Sequence, residues 1–140
     1  MRCDMENNEI RKNRNTPQRQ LVKKIVDRSC DHPTADTVYQ RVIEEDPRVS
    51  LGTVYRNLDF LSENGQILRI RLPSGPDHFD FNMKPHIHFY CTECRSISDL
   101  PDESVKTVQA DELPEASGYD IKERFLLYIG TCPECNKNKN

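Results

Sequence analysis

Residues 86–99, HIHFYCTECRSISD, crowd two histidines, two cysteines and a closing aspartate into one short run. His86, His88, Cys91, Cys94 and Asp99 could each bind a metal, and their spacing bears on whether they hold one ion or two. The pair Cys91-x-x-Cys94 has a counterpart in Cys132-x-x-Cys135. Each is a tight turn that lets two sulfurs converge, and two such turns, each following a strand, can build a tetrahedral zinc site of four thiolates. The competing chemistry is a redox dithiol, which usually sits at a helix start and rarely comes in twos. A closed four-thiolate site has no open position for a substrate, so its role would be structural.

Side chains alternate faces along a strand, so His86 and His88 point to one side while Cys91, an odd number of residues away, starts from the other. The histidines therefore belong to a second site. A His-x-His pair alone also fits a solvated or core-satisfied pair. The metal reading gains from Asp80 just before the strand, Asp99 just after the cysteine turn, and His32 at the mouth of a helix. Three imidazoles and two carboxylates suit Fe(II), Mn(II) or Zn(II), and the oxygen ligands lean toward iron or manganese. Spacing alone does not bring His32 to His86. If they meet, one ion would bridge two parts of the chain.

Those parts follow from the elements that must carry the ligands. Thr16-Pro17 is a helix start, and Leu21, Val22, Ile25 and Val26 repeat at helical spacing after it. Thr34 can cap a second helix with Val38, Val42 and Ile43 inward, ending at Asp46-Pro47. Ser50 can cap a third, with Leu51, Val54, Leu58 and Leu61 inward, Thr53, Tyr55, Arg56 and Asn57 on its other face, and Asn64-Gly65 as its stop. The alternating runs QILRIRL and HFDFN, joined by PSGPD, read as a β-hairpin. Three helices closed by a hairpin describe a winged helix, whose third helix enters the DNA major groove. Arg56 and Asn57 suit guanine and adenine edges, although either could contact phosphate instead. The alternative is a plain three-helix bundle with a polar surface. Beyond a boundary near Met83-Lys84-Pro85, the strands HIHFY and SISDL, a helix over DESVKTVQADEL and a long final strand within YDIKERFLLYIGTC form a second unit. The fold class is α+β: a winged-helix unit over residues 1–82 and an α/β unit with the four-cysteine zinc site over 83–140.

The chain has 140 residues, 35% hydrophobic and 31% charged, with no Trp, so a small half-domain would need a metal or a partner subunit as a staple. No apolar run resembles a signal peptide or reaches membrane-spanning length, which implies a cytoplasmic protein without a membrane partner. The net charge of −3 hides an asymmetry, with basic residues crowded at Arg11, Lys12, Arg14, Arg19, Lys23, Lys24 and Arg28. That crowding is either a solvated helix face or a phosphate-binding one, with Arg19, Lys23 and Lys24 as candidate DNA contacts. Cys30 reads as a helix-end packing residue, and Cys3 fits no motif. A zinc hydrolase would need an adjacent base and nucleophile, and none is evident.

The motifs HPTADTVY, VSLGTVYRNLDFLSENG, HIHFYCTEC, SISDL and YIGTCPEC, in this order and spacing, resemble the Fur (ferric uptake regulator) family over nearly the whole chain, most closely its PerR-type peroxide sensors. The resemblance implies a transcriptional repressor, not an enzyme. It implies a homodimer with an N-terminal DNA-binding winged helix and a C-terminal dimerisation domain, bound to a palindromic double-stranded operator. It further implies structural zinc on Cys91, Cys94, Cys132 and Cys135, and a regulatory Fe(II) or Mn(II) on His32, Asp80, His86, His88 and Asp99. Iron-uptake members usually carry Glu where this chain has Asp99, whereas peroxide sensors usually carry Asp. The alternative is an iron-responsive repressor without peroxide sensing. The run KPHIHFYC lacks the fuller histidine cluster of iron-uptake members, which makes a third metal site doubtful.

Overall fold

The computed structural model describes residues 14–84, 86–100, 118–120 and 125–139. The chain divides into two compact units, Met1–Met83 and Lys84–Asn140. Cys3, Arg11, Lys12 and the helix expected over DESVKTVQADEL lie outside the described residues.

In the first unit, α1 (Pro17–Asp27), α2 (Ala35–Glu45) and α3 (Leu51–Glu63) each begin at a hydroxyl cap. Thr16, Thr34 and Ser50 accept the N–H of Arg19, Thr37 and Thr53 respectively. Each cap satisfies a donor that the helix itself cannot, worth about 1 kcal/mol. The apolar stripes meet in one core of Val22, Ile25 and Val26 from α1, Ala35, Val38 and Val42 from α2, and Val54, Leu58 and Leu61 from α3. Leu51 departs from the inward position expected of it: it is the first helical residue, at the open end of the stripe, and remains exposed. Gly65, at φ +68°, ends α3 in a backbone conformation that side chains resist.

A hairpin of β1 (Leu68–Ile70) and β2 (His78–Asp80) closes the unit, with Leu68 opposite Asp80 and Ile70 opposite His78. Phe79 turns into the core. Three helices closed by an antiparallel hairpin form a winged helix.

The second unit is a three-stranded sheet with β3 (Ile87–Cys91) in the centre. On one side β4 (Ile97–Leu100) runs antiparallel, and on the other β5 (Leu127–Gly130) runs parallel. The turn from β3 to β4 closes with the Arg95 N–H on the Cys91 carbonyl at 2.8 Å, and Arg95 takes φ +61°. After β5, the turn expected at Cys132–Cys135 is the start of a short helix, α4 (Pro133–Lys137), with Cys132 as its cap. Among the described residues no helix is long and apolar enough to cross a membrane.

Candidate functional site

The ends of β3 and β5 lie side by side, since Cys91 pairs with Gly130. This brings the turn after β3 and the start of α4 together, and the sulfurs of Cys91, Cys94, Cys132 and Cys135 lie within 4.8 Å of one another. Cys94 Sγ stands 3.9 Å from Cys132 Sγ, near the edge of about 3.8 Å that a tetrahedron with zinc–sulfur bonds of about 2.3 Å requires. Backbone amides aim into the cluster: the Cys132 N–H donates to Cys91 Sγ at 3.3 Å and the Cys135 N–H to Cys132 Sγ at 3.5 Å. The Cys132 and Cys94 N–H groups hold the Cys91 thiol down at about 6. The Ser96 hydroxyl, 3.0 Å from Cys94 Sγ, lowers Cys94 as well. Cys135 is pushed up to about 12, first by the neighbouring Cys132 sulfur and then by burial. Four sulfurs in this space compete for negative charge, and a divalent cation removes the competition. The cluster fits structural zinc.

A second group occupies the other end of the same sheet. His88 and Asp99 are cross-strand partners and so share a face, with His86 just before β3 on that side. Asp99 Oδ1 lies 3.3 Å from His86 Nε2 and 3.5 Å from His88 Nε2. His86 Nδ1–H donates to the Lys84 carbonyl at 2.6 Å. A carbonyl can only accept, so this bond puts the proton on Nδ1 and leaves the neutral ring's lone pair on Nε2, aimed at a carboxylate oxygen. Two lone pairs converge this way only around a positive charge, either a proton or a metal ion. A histidine anchored through Nδ1 with Nε2 presented is the usual form of a metal ligand.

The first unit holds a smaller set of the same kind. His32 Nε2 lies 3.3 Å from Asp80 Oδ2, and both side chains are buried. A buried carboxylate needs a compensating charge. Asp80 Oδ1 accepts the Asn82 N–H at 3.0 Å. His32 takes φ +50°, which costs about 1–2 kcal/mol relative to right-handed backbone and must be enforced by its neighbours. On one side Arg41 grips Asp31 with two bonds of 2.9 and 2.6 Å, holding that carboxyl below its usual range, and reaches Ser29 at 2.8 Å. On the other, His78 Nδ1–H donates to the His32 carbonyl at 2.6 Å, and the Phe79 N–H to the Pro33 carbonyl at 2.9 Å. Sequence reasoning did not single out His78, because it belongs to no ligand motif. Its only signal was its place two residues before Asp80 on the same strand face.

On α3, Thr53, Tyr55 and Arg56 lie on the outer side, with Arg56 Nη2 donating to Thr53 Oγ1 at 3.1 Å. Tyr55 donates its hydroxyl to Asp36 at 3.4 Å, and burial followed by the Asp36 charge raises its pKa. Asn57 corrects the expectation of an open groove side chain. It is 7% exposed, and its Oδ1 accepts the Arg19 Nε–H at 3.2 Å. Its spacing explains this: three residues after Val54 and four before Leu61, it falls on the core stripe. Arg19 is engaged at the same place. Its guanidinium lies 3.6 Å over the Phe60 ring and donates to the Arg14 carbonyl at 2.6 Å, so it fastens α1 to α3 instead of presenting an open cation. Lys23 pairs with Asp27 at 2.7 Å and Lys24 with Glu45 at 3.6 Å. Such exposed pairs contribute little to stability.

The family model described as the ferric uptake regulator family matches residues 11–129. The peroxide-responsive repressor PerR of Staphylococcus epidermidis is 30% identical over 129 residues, covering 89% of this chain and 83% of that protein. The peroxide operon regulator of Bacillus subtilis is 31% identical over 125 residues, covering 89% of this chain and 86% of that protein. Among solved structures, the peroxide stress regulator of Campylobacter jejuni superposes with a TM-score of 0.69 at 28% identity, covering 96% of this chain and 98% of that one. The ferric uptake regulator of Helicobacter pylori gives 0.72 at 22% identity, covering 96% of this chain and 91% of that one, a likeness of fold.

The cysteine geometry predicts that Cys94→Ala drops bound zinc from about one per chain to near zero and lowers the melting temperature, because three thiolates hold the ion poorly. Cys30→Ala, which alters a cysteine outside the cluster, leaves zinc unchanged. Metal analysis by plasma mass spectrometry with thermal unfolding checks both.

Proposed function

Since the chain belongs to the ferric uptake regulator family, whose members are metal-dependent transcriptional repressors and not enzymes, we propose that it senses hydrogen peroxide and releases operator DNA when a ligand histidine is oxidised. The observation that carries this reading is the trio of His86, His88 and Asp99, with two imidazole Nε2 atoms on one carboxylate oxygen. Two histidines and one carboxylate are a donor set that suits Fe(II) with open positions. Asp99, where the family resemblance distinguishes peroxide from iron sensors, and the 30% and 31% identical peroxide-responsive relatives give further support.

In this reading His32 and Asp80 join His86, His88 and Asp99 on one regulatory Fe(II) or Mn(II), while the four cysteines keep zinc as a staple. An ion that takes ligands from both units ties them together, so metal affinity and DNA affinity are linked through that arrangement. Residues 1–82 read the DNA and residues 83–140 form the homodimer, whose two α3 helices match two halves of a palindromic operator. Thr53, Tyr55 and Arg56 face the groove, and Lys23 and Lys24 contact phosphate.

Iron, when bound, supplies the one-electron chemistry that activates hydrogen peroxide. The ring of His32 or His86 gains one peroxide oxygen at the carbon between its nitrogens, and the other oxygen leaves as water. The product, 2-oxohistidine, no longer offers the Nε2 lone pair. The ligand set fails and the DNA is released.

If Arg56 reads a base, Arg56→Ala costs ~1–3 kcal/mol of operator affinity and relaxes preference at one position. Asn57→Ala instead lowers the melting temperature, because it unseats Arg19. Fluorescence-anisotropy titrations on operator and random duplexes, with melting curves, separate the two.

The peroxide reading is tested by loading zinc-replete protein with Fe(II) or Mn(II), adding peroxide, and mapping peptides by mass spectrometry. One added oxygen on His32 or His86 with iron only is the expected result, and Asp99→Glu greatly reduces it while keeping Mn(II)-dependent DNA binding. No iron-dependent oxidation in the parent favours an iron-responsive repressor without peroxide sensing.

A further inference from the structure

The structure assigns His78 as a positioning residue for His32, an inference that rests on the regulatory-metal reading above. His32 holds a left-handed backbone, φ +50°, a conformation uncommon for any residue but glycine. The strip from His32 to Thr34 is held against β2 by two contacts. His78 Nδ1–H donates to the His32 carbonyl at 2.6 Å, and the Phe79 N–H donates to the Pro33 carbonyl at 2.9 Å as part of the isolated antiparallel bridge between Thr34 and His78.

Residues two apart on a strand share a face. His78 and Asp80 therefore act on the same residue from the same side of β2: one bonds the backbone carbonyl of His32, the other meets its ring at 3.3 Å. The carbonyl only accepts, so it also sets the tautomer of His78, with the proton on Nδ1. The bridge is a backbone pairing that does not depend on an imidazole. The His78 side chain reaches the carbonyl of the ligand residue itself, and so bears on where His32 Nε2 falls relative to the Asp80 carboxylate. Outer partners of this kind typically change metal affinity 10–100-fold when removed.

Three variants decide it in zinc-replete protein titrated with Co(II), whose absorption bands report the geometry of the bound ion. His78→Leu removes the donor and is expected to weaken Co(II) binding about 10–100-fold and shift the bands. His78→Asn places an amide N–H the same number of bonds from Cα as Nδ1, and is expected to restore both affinity and spectrum. Asp80→Ala removes a proposed ligand. If Asp80→Ala weakens binding while His78→Leu keeps the parent affinity and spectrum, the role of His78 is overturned and the metal reading stands. Equal losses for His78→Leu and His78→Asn also overturn it, by showing that the strand needs an imidazole for packing alone. If Asp80→Ala binds Co(II) as the parent does, the regulatory-metal reading itself fails, and the His78 assignment with it.

Discussion

An imidazole lone pair and a carboxylate oxygen cannot converge unless a cation lies between them, and the rest of this protein's chemistry depends on that constraint. His86 is held in the required state by one bond, from Nδ1–H to the Lys84 carbonyl, which leaves Nε2 directed at Asp99. The pairing of His88 with Asp99 across β3 and β4 brings the second imidazole to the same oxygen. In the first unit His32 and Asp80 form a second buried pair, with Nε2 3.3 Å from Oδ2. A proton satisfies each set only singly, whereas a divalent ion can satisfy several donors at once.

The four cysteines answer a different requirement. Their sulfurs are soft donors in a closed set, with backbone amides and Ser96 stabilising the thiolates. The histidines and aspartates are harder donors. Strand alternation keeps the two sets apart, with Cys91 at the far end of β3 from His86. One sheet can therefore carry both a zinc that staples the fold and a site whose occupancy changes with conditions.

Much of this was legible in the sequence because it rests on local chemistry. Thr16, Thr34 and Ser50 announced three helix starts, and each accepts the N–H expected of a cap. The two Cys-x-x-Cys pairs named a four-thiolate cluster, and the sheet register explains why they meet. What escaped notice depended on tertiary partners. Asn57 has a polar side chain at a core position, and only its partner Arg19 makes burial tolerable. Charge in a sequence does not show that a ring of Phe60 lies beneath Arg19. His78 carries no motif, since its partner is a backbone carbonyl far away in the chain. Leu51 followed the helical period yet lies where the neighbouring helices do not cover it.

The central proposal is that one regulatory ion takes ligands from both units. Pulsed electron paramagnetic resonance on the Mn(II)-loaded, zinc-replete protein counts the imidazole nitrogens bound to the ion. The account predicts three imidazoles in the parent and two in His32→Ala, the remaining pair coming from His86 and His88. Two imidazoles in both proteins would contradict it, because the ion would then belong to the second unit alone.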